Sequence, residues 1–253
     1  MYGLNGFAVL AFTAINYFSV RLAKKGRSSK KIIYMLSIFL LLLNSIRYIY
    51  IYPFVSHILK IPVEFSTVSY FTVPIIIICH FKKFYGFASY SGLMAGFFYY
   101  LALVFSGGPI YGAYDIADVY ISMLCHGILY ILGFYMISTQ KFEKKYSLNI
   151  IFGISGIIAN ALIFRPLMEK TDTLLIYFLL DAIPVSKLLC TENAKIVLPV
   201  YYTAVVILLL TSVFAFFRMN KKELLRFATG EQDNTTKEKN CHVINRVQSN
   251  TIL

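Results

Sequence analysis

A chain of 253 residues that is 58% hydrophobic, 17% aromatic and only 14% charged falls well short of the roughly 25% charged residues of a soluble domain, which places it in the helical membrane class. Its net charge of +12 does not mark a nucleic-acid binder, because the basic residues form short clusters between apolar runs, as cytoplasmic membrane loops do. The four cysteines and four histidines are scattered without a CxxC pair, so no disulfide framework or zinc site is read and no metal or other cofactor is called for.

Seven apolar segments follow in chain order. The first, about 4–20, is trailed by RLAKKGRSSKK. Its charges come after the apolar run and no small-residue cleavage site is evident, so it reads as a retained span with its N-terminus outside rather than a signal peptide. The second, about 32–52, contains Asn44 and Arg47. The third, about 63–79, opens within KIPVEFSTVSYFTVP (60–74), which puts Glu64, Ser66 and Thr67 in its first turn or two. The fourth, about 85–105, carries Ala88, Gly92 and Gly96 at spacing four, a pattern that lets helix backbones approach closely. SGGP ends it. The fifth is about 116–138. The sixth is about 148–164, with Gly153, Ser155 and Gly156 read as packing positions.

A long connection, 165–196, follows. Its apolar run at 173–183 is too short to cross a ~30 Å core at ~1.5 Å per residue, so a re-entrant or interfacial segment near 166–190 is expected. The seventh segment is about 197–217. The tail, 218–253, begins basic, turns polar and reads as disordered and cytoplasmic. With the N-terminus outside, the inner connections hold fifteen Lys and Arg and the outer ones five. The fold class expected is therefore all-α, a polytopic helical membrane protein of about seven transmembrane helices spanning 1–217. Its N-terminus is outside, its C-terminus is cytoplasmic, and it lies in the plasma membrane. No internal repeat supports an inverted-repeat transporter.

Polar residues within membrane segments usually face the bundle interior or a watery cavity. On this topology Asn44, Arg47, Glu64, Asp115, Asp118, Ser122, His126, Asn160, Arg165 and Asp181 all fall in the outer half, while the inner half is almost purely apolar. A channel or pump would carry ionisable groups through the full depth. A one-sided polar cup instead suggests a site entered from the outer leaflet or outer face. Each residue also has a plainer reading. Glu64 at a helix start meets the helix dipole. Arg47 reads as an interfacial anchor or as the partner of Glu64 or Asp118. Asp115 and Asp118 read as caps, and Ser66, Thr67 and Ser122 as hydroxyls bonded back to the preceding turn. Cys125 reads as a small packing residue. His126 stands apart, mid-segment and on one stripe with Asp118 and Ser122, about 12 Å below that acid at ~1.5 Å per residue. His57 and His80 have no such setting.

Over about residues 30–217 the chain resembles the YwaF-type bacterial membrane proteins, which are related to transmembrane protein 164. The resemblance rests on Pro62-Val63-Glu64-Phe65-Ser66, Cys125-His126-Gly127 and Asn160. The family motif has His and Cys where this chain has Glu64 and Ser66. The resemblance implies lipid acyl transfer, with Ser66 at the nucleophile position and His126 as its base. A similar family, the androgen-induced membrane hydrolases of lipid esters, works with Thr and His and implies Thr67 and His126 instead.

Two functions are carried forward from the sequence. One is lipid acyl transfer or ester hydrolysis, with Ser66 or Thr67 attacking and His126 taking the proton. Asn44, Arg47, Glu64, Asp118, Ser122 and Asn160 would then hold the substrate. The other is a non-enzymatic receptor, transporter component or accessory protein that binds a small ligand in the same cup. Membrane lipids are the partners expected in either case.

Overall fold

The computed structural model describes residues 3–55, 61, 62, 64–106, 116–143, 147–164, 203 and 206–222. Among them every regular element is a helix: α1 (Gly3–Lys24), α2 (Lys30–Ile46), α3 (Phe65–Ile78), α4 (Tyr85–Ser106), α5 (Ile116–Thr139), α6 (Ser147–Phe164) and α7 (206–222). Short 3₁₀ turns join α1 to α2 (Gly26–Ser29) and lead into α4 (Lys82–Phe84). The first six sequence segments are recovered to within a few residues; of the seventh, 203 and 206–217 are described and helical, and the rest of its first nine positions lie outside the described residues. α7 runs on to residue 222, past the expected end of the membrane domain at 217. The apolar run at 173–183, Asp115, Arg165, Asp181 and the tail from 223 lie outside the described residues.

Four stretches are long and apolar enough to cross a membrane: Gly6–Lys24, Lys30–Tyr52, Lys82–Val104 and Val119–Thr139. α3 and α6 are apolar but shorter. The 14 residues of α3 span only ~21 Å at ~1.5 Å each. α3 also carries Pro74 in its interior, which removes one backbone donor to the preceding turn. Pro74 is buried, so neighbouring helices rather than lipid surround the weakened turn.

α5 is the centre of the bundle. In its apolar stretch 78% of residues are buried, against 22% in α1. Its most extensive neighbour is α4, and the reason is the small-residue stripe. A Cβ on Gly92 would meet the Leu129 carbonyl at 2.6 Å, and one on Gly96 would meet the His126 carbonyl at 2.7 Å. From the other side, a Cβ on Gly133 would meet the Leu93 nitrogen at 2.6 Å. These glycines therefore set the helix–helix distance. Ser89 fastens the same interface by donating to the Gly133 carbonyl at 2.9 Å. In α6 the outcome is mixed. Gly153 lies directly against the Phe87 ring, but Ser155 and Gly156 are exposed, and no atom of the described residues lies within 4 Å of a Cβ on Gly156.

The helices alternate in direction. One end of the bundle gathers Pro62 and Asn160, whose side-chain amide donates to the Pro62 carbonyl at 2.9 Å. The other end gathers Lys83, whose carbonyl accepts from Asn149 at 2.9 Å. At the Lys83 end α7 clamps α5: Asn220 is buried, donates to the Ile137 and Gln140 carbonyls at 2.6 Å each and accepts from the Phe142 N–H at 2.9 Å. A helix leaves its last carbonyls without partners of its own, and Asn220 supplies one. At the Pro62 end α2 does not stop but widens into a π-helix over Arg47–Val55. Such segments are rare and tend to occur at functional sites. This one begins at the buried cation of the span.

Candidate functional site: a buried polar cluster around His126

His126 lies near the middle of α5 and is 5% exposed. Its Nδ1 is 2.8 Å from the Ser122 carbonyl, one turn earlier, and 2.7 Å from the Tyr70 hydroxyl of α3. Nε2 is 3.2 Å from the same hydroxyl. A carbonyl can only accept, so the contact with Ser122 puts the proton on Nδ1. Nε2 is then the acceptor for the Tyr70 O–H. The imidazole is also sandwiched. Tyr99 of α4 stacks flat on it, with centroids 3.6 Å apart and planes at 9°, while the Tyr70 ring meets it edge-on at 5.2 Å.

α2 closes the cluster. Asn44 is fully buried, donates to the Leu40 carbonyl at 2.9 Å and places the same nitrogen 3.5 Å from the Cys125 sulfur. Arg47, three residues on and 7% exposed, holds its guanidinium carbon 5.3 Å from the Tyr52 ring centroid. A cation over an aromatic face is attracted by the ring quadrupole. The Arg47 charge is near enough to act electrostatically on Tyr48, Tyr70, Cys125 and His126. Four helices thus deliver Asn44, Arg47, Tyr70, Tyr99, Cys125 and His126 to one region of the core.

The mouth of α3 is a separate layer. Glu64 takes the N-cap position in an extended conformation and is exposed, without a side-chain cap bond. Its carbonyl accepts from the Thr67 hydroxyl at 3.0 Å and from the Val68 N–H at 3.0 Å. Thr67 also lies beside Tyr48, on which the Glu64 charge acts. Ser66 is half-buried in the first turn. One turn deeper, Ser69 and Tyr70 are both buried. Ser69 donates to the Phe65 carbonyl at 2.6 Å and pairs with Ser91 of α4.

The residues singled out from the sequence therefore separate. Asn44, Arg47 and His126 come together, and Ser122 joins them through its backbone carbonyl. Ser66, Thr67 and Glu64 stand at the α3 mouth, where Thr67 bonds locally. The amide of Asn160 is spent on Pro62 at the bundle end. The Asp118 side chain lies outside the described residues. Cys125, read as packing, is fully buried and also touches the Asn44 amide. Tyr70 and Tyr99 are the functional candidates that sequence reasoning missed. Tyr70 stands inside the 60–74 stretch, and a tyrosine buried in a span needs a partner for its hydroxyl, which was the available signal. Tyr99 gave no signal, because its role depends on how α4 rotates against α5. Among the described residues no group of three His, Cys, Asp or Glu side chains converges as a metal site.

Comparison with known proteins finds no family model, no curated protein and no solved structure that matches this chain.

Proposed function

We propose that the chain is a seven-span plasma-membrane protein, N-terminus outside, whose buried polar cluster binds the polar head of a lipid or lipid-like amphiphile from the outer leaflet. The observation that carries this reading is the convergence of Asn44, Arg47, Tyr70, Tyr99, Cys125 and His126 from four helices on one region of the core. Ionisable groups are expensive at membrane depth and collect where a ligand or a path needs them. Binding is favoured over catalysis because both imidazole nitrogens are engaged by Tyr70 and Ser122 rather than by a serine or threonine hydroxyl. The test is photocrosslinking. A diazirine-bearing phospholipid is reconstituted with the protein and the crosslinked peptides are mapped. Labelling concentrated around residues 66–70 and 122–126, and reduced in His126→Ala and Arg47→Ala, supports the site. Labelling no stronger there than on the exposed face of α6, and unchanged in both variants, ends the proposal.

A second reading, lipid acyl transfer or ester hydrolysis, has one observation in its favour. Ser66 precedes Tyr70 by one helical turn, on the same stripe of α3. Ser66 would attack an ester carbonyl and pass its proton by way of Tyr70 to Nε2 of His126. The imidazolium would return that proton to the departing alkoxide as the ester C–O bond breaks, leaving the acyl group on Ser66. This is also the position at which the YwaF-type resemblance sets its nucleophile. Labelling of Ser66 by a fluorophosphonate, abolished by His126→Ala and by Tyr70→Phe, would move this reading ahead of simple binding.

A further inference from the structure

At the Lys83 end, the turn from α3 into α4 is built around a strained histidine. The Phe81 N–H donates to the Ile76 carbonyl at 3.0 Å and the His80 N–H to the Ile77 carbonyl at 3.3 Å. That bond pair closes a helix with the residue at the His80 position in the left-handed region. His80 is the only non-glycine with positive φ among the described residues, at φ 55. Glycine is the easy residue there, and a side chain is retained at a cost in backbone energy.

The His80 ring is tied to its surroundings. It lies nearly parallel to Tyr34 of α2, with centroids 6.4 Å apart and planes at 19°, and its Nδ1 is 3.3 Å from the Tyr85 hydroxyl of α4. It therefore joins the start of α2, the end of α3 and the start of α4 into one corner. Lys30 and Lys31 stand four and three residues before Tyr34, one turn away along α2. Lys82 and Lys83 follow His80 two and three residues on, after Phe81, and all four lysines are exposed. Between them Phe81 is 52% exposed. An exposed aromatic flanked by cations suits the boundary between headgroups and acyl chains. The described acid at this end is Glu143, on the α5–α6 connection.

We propose that this corner binds the phosphate of an acidic phospholipid. The lysines attract the headgroup, the Tyr34–His80–Tyr85 shelf fixes its place, and Phe81 lies against its acyl chains. Positive charge beside a span attracts anionic lipid generally. What makes this corner a site rather than part of a diffuse field is the rigid, strained histidine at its centre. The proposal is independent of the His126 cluster.

The test uses the full chain in nanodiscs holding equal amounts of phosphatidylglycerol and phosphatidylcholine, released into mild detergent and examined by native mass spectrometry. The wild type is expected to retain phosphatidylglycerol severalfold over phosphatidylcholine. Lys82→Ala/Lys83→Ala is expected to lower that retention roughly tenfold, at about fivefold or less per lysine. Lys221→Ala/Lys222→Ala removes equal charge from α7 at the same end and is expected to leave retention intact. His80→Gly suits the backbone, so it should keep or raise thermal stability while lowering retention, a split that a purely structural role would not produce. Equal retention of the two lipids by the wild type overturns the proposal without any variant. So do equal losses in the two lysine pairs, or an equal thermal shift from inorganic phosphate without lipid.

Discussion

Tyr70 and His126 define the chemistry of the cluster at the scale of single residues. Removing the phenol oxygen leaves Nε2 of His126 buried without its donor, and a buried polar atom stripped of its partner costs more than the bond gained. Tyr70→Phe is therefore expected to destabilise the protein by about 0.6–1.7 kcal/mol, between the mean and the maximum for side-chain bonds between membrane helices. In a His126→Leu background the same change should cost clearly less, because the partner is already gone. Denaturation of the four proteins in micelles checks this. Full additivity would show that the two side chains do not interact. The contact also shows why sequence reading passes over one hydroxyl of the 60–74 stretch. Ser66 and Thr67 drew notice because they are polar at a membrane edge. Tyr70 is equally polar at its tip but counts as aromatic in a hydropathy pattern, and only the rotation of α3 turns it to His126.

At the scale of elements, the strongest sequence signals were those in which local pattern and packing coincide. Ala88, Gly92 and Gly96 lie on one stripe, and the structure presses that stripe onto the backbone of α5. The same type of pattern in α6 misled at Ser155 and Gly156, because small residues permit close approach without specifying a partner. The π-helix from Arg47 was not legible, since its hydrophobic period over nine residues is too short to separate from that of an α-helix. Gly96 links packing to site, because a Cβ there meets the carbonyl of His126 itself at 2.7 Å. Gly96→Val is expected to cost at least about 1–3 kcal/mol by overpacking. By pushing α5 outward it should also weaken lipid crosslinking at the cluster. Gly156→Val, on an exposed face, should do neither. Equal behaviour of the two variants in thermal unfolding and crosslinking would refute the coupling.

At the scale of the whole molecule, the described residues carry more positive charge at one end than at the other. Among the described residues the Lys83 end carries Lys24, Lys25, Lys30, Lys31, Lys82, Lys83 and further basic residues of α7, whereas the span beyond Asn44 carries Arg47. On the proposed topology the Lys83 end would face the cytoplasm, as the positive-inside rule has it. The length of α3 then fixes the depth of its mouth. If Cys79 stands at the inner boundary of a ~30 Å core, a helix of ~21 Å leaves Glu64 and Ser66 some ~9 Å below the outer boundary. The polar mouth would then open beneath the outer headgroups rather than above them, with Tyr70 and His126 deeper still. Single cysteines in a cysteine-free background test both parts of this arrangement. A cysteine at Lys31 should react with a membrane-impermeant maleimide only in inside-out vesicles. One at Ser66 should resist that reagent from either side but react with a lipid-soluble maleimide. Labelling at Lys31 from the outside would reverse the orientation and turn the cluster toward the inner leaflet. Labelling at Ser66 by the impermeant reagent from the outside would instead make the mouth an aqueous cup, and the ligand a soluble molecule rather than a lipid.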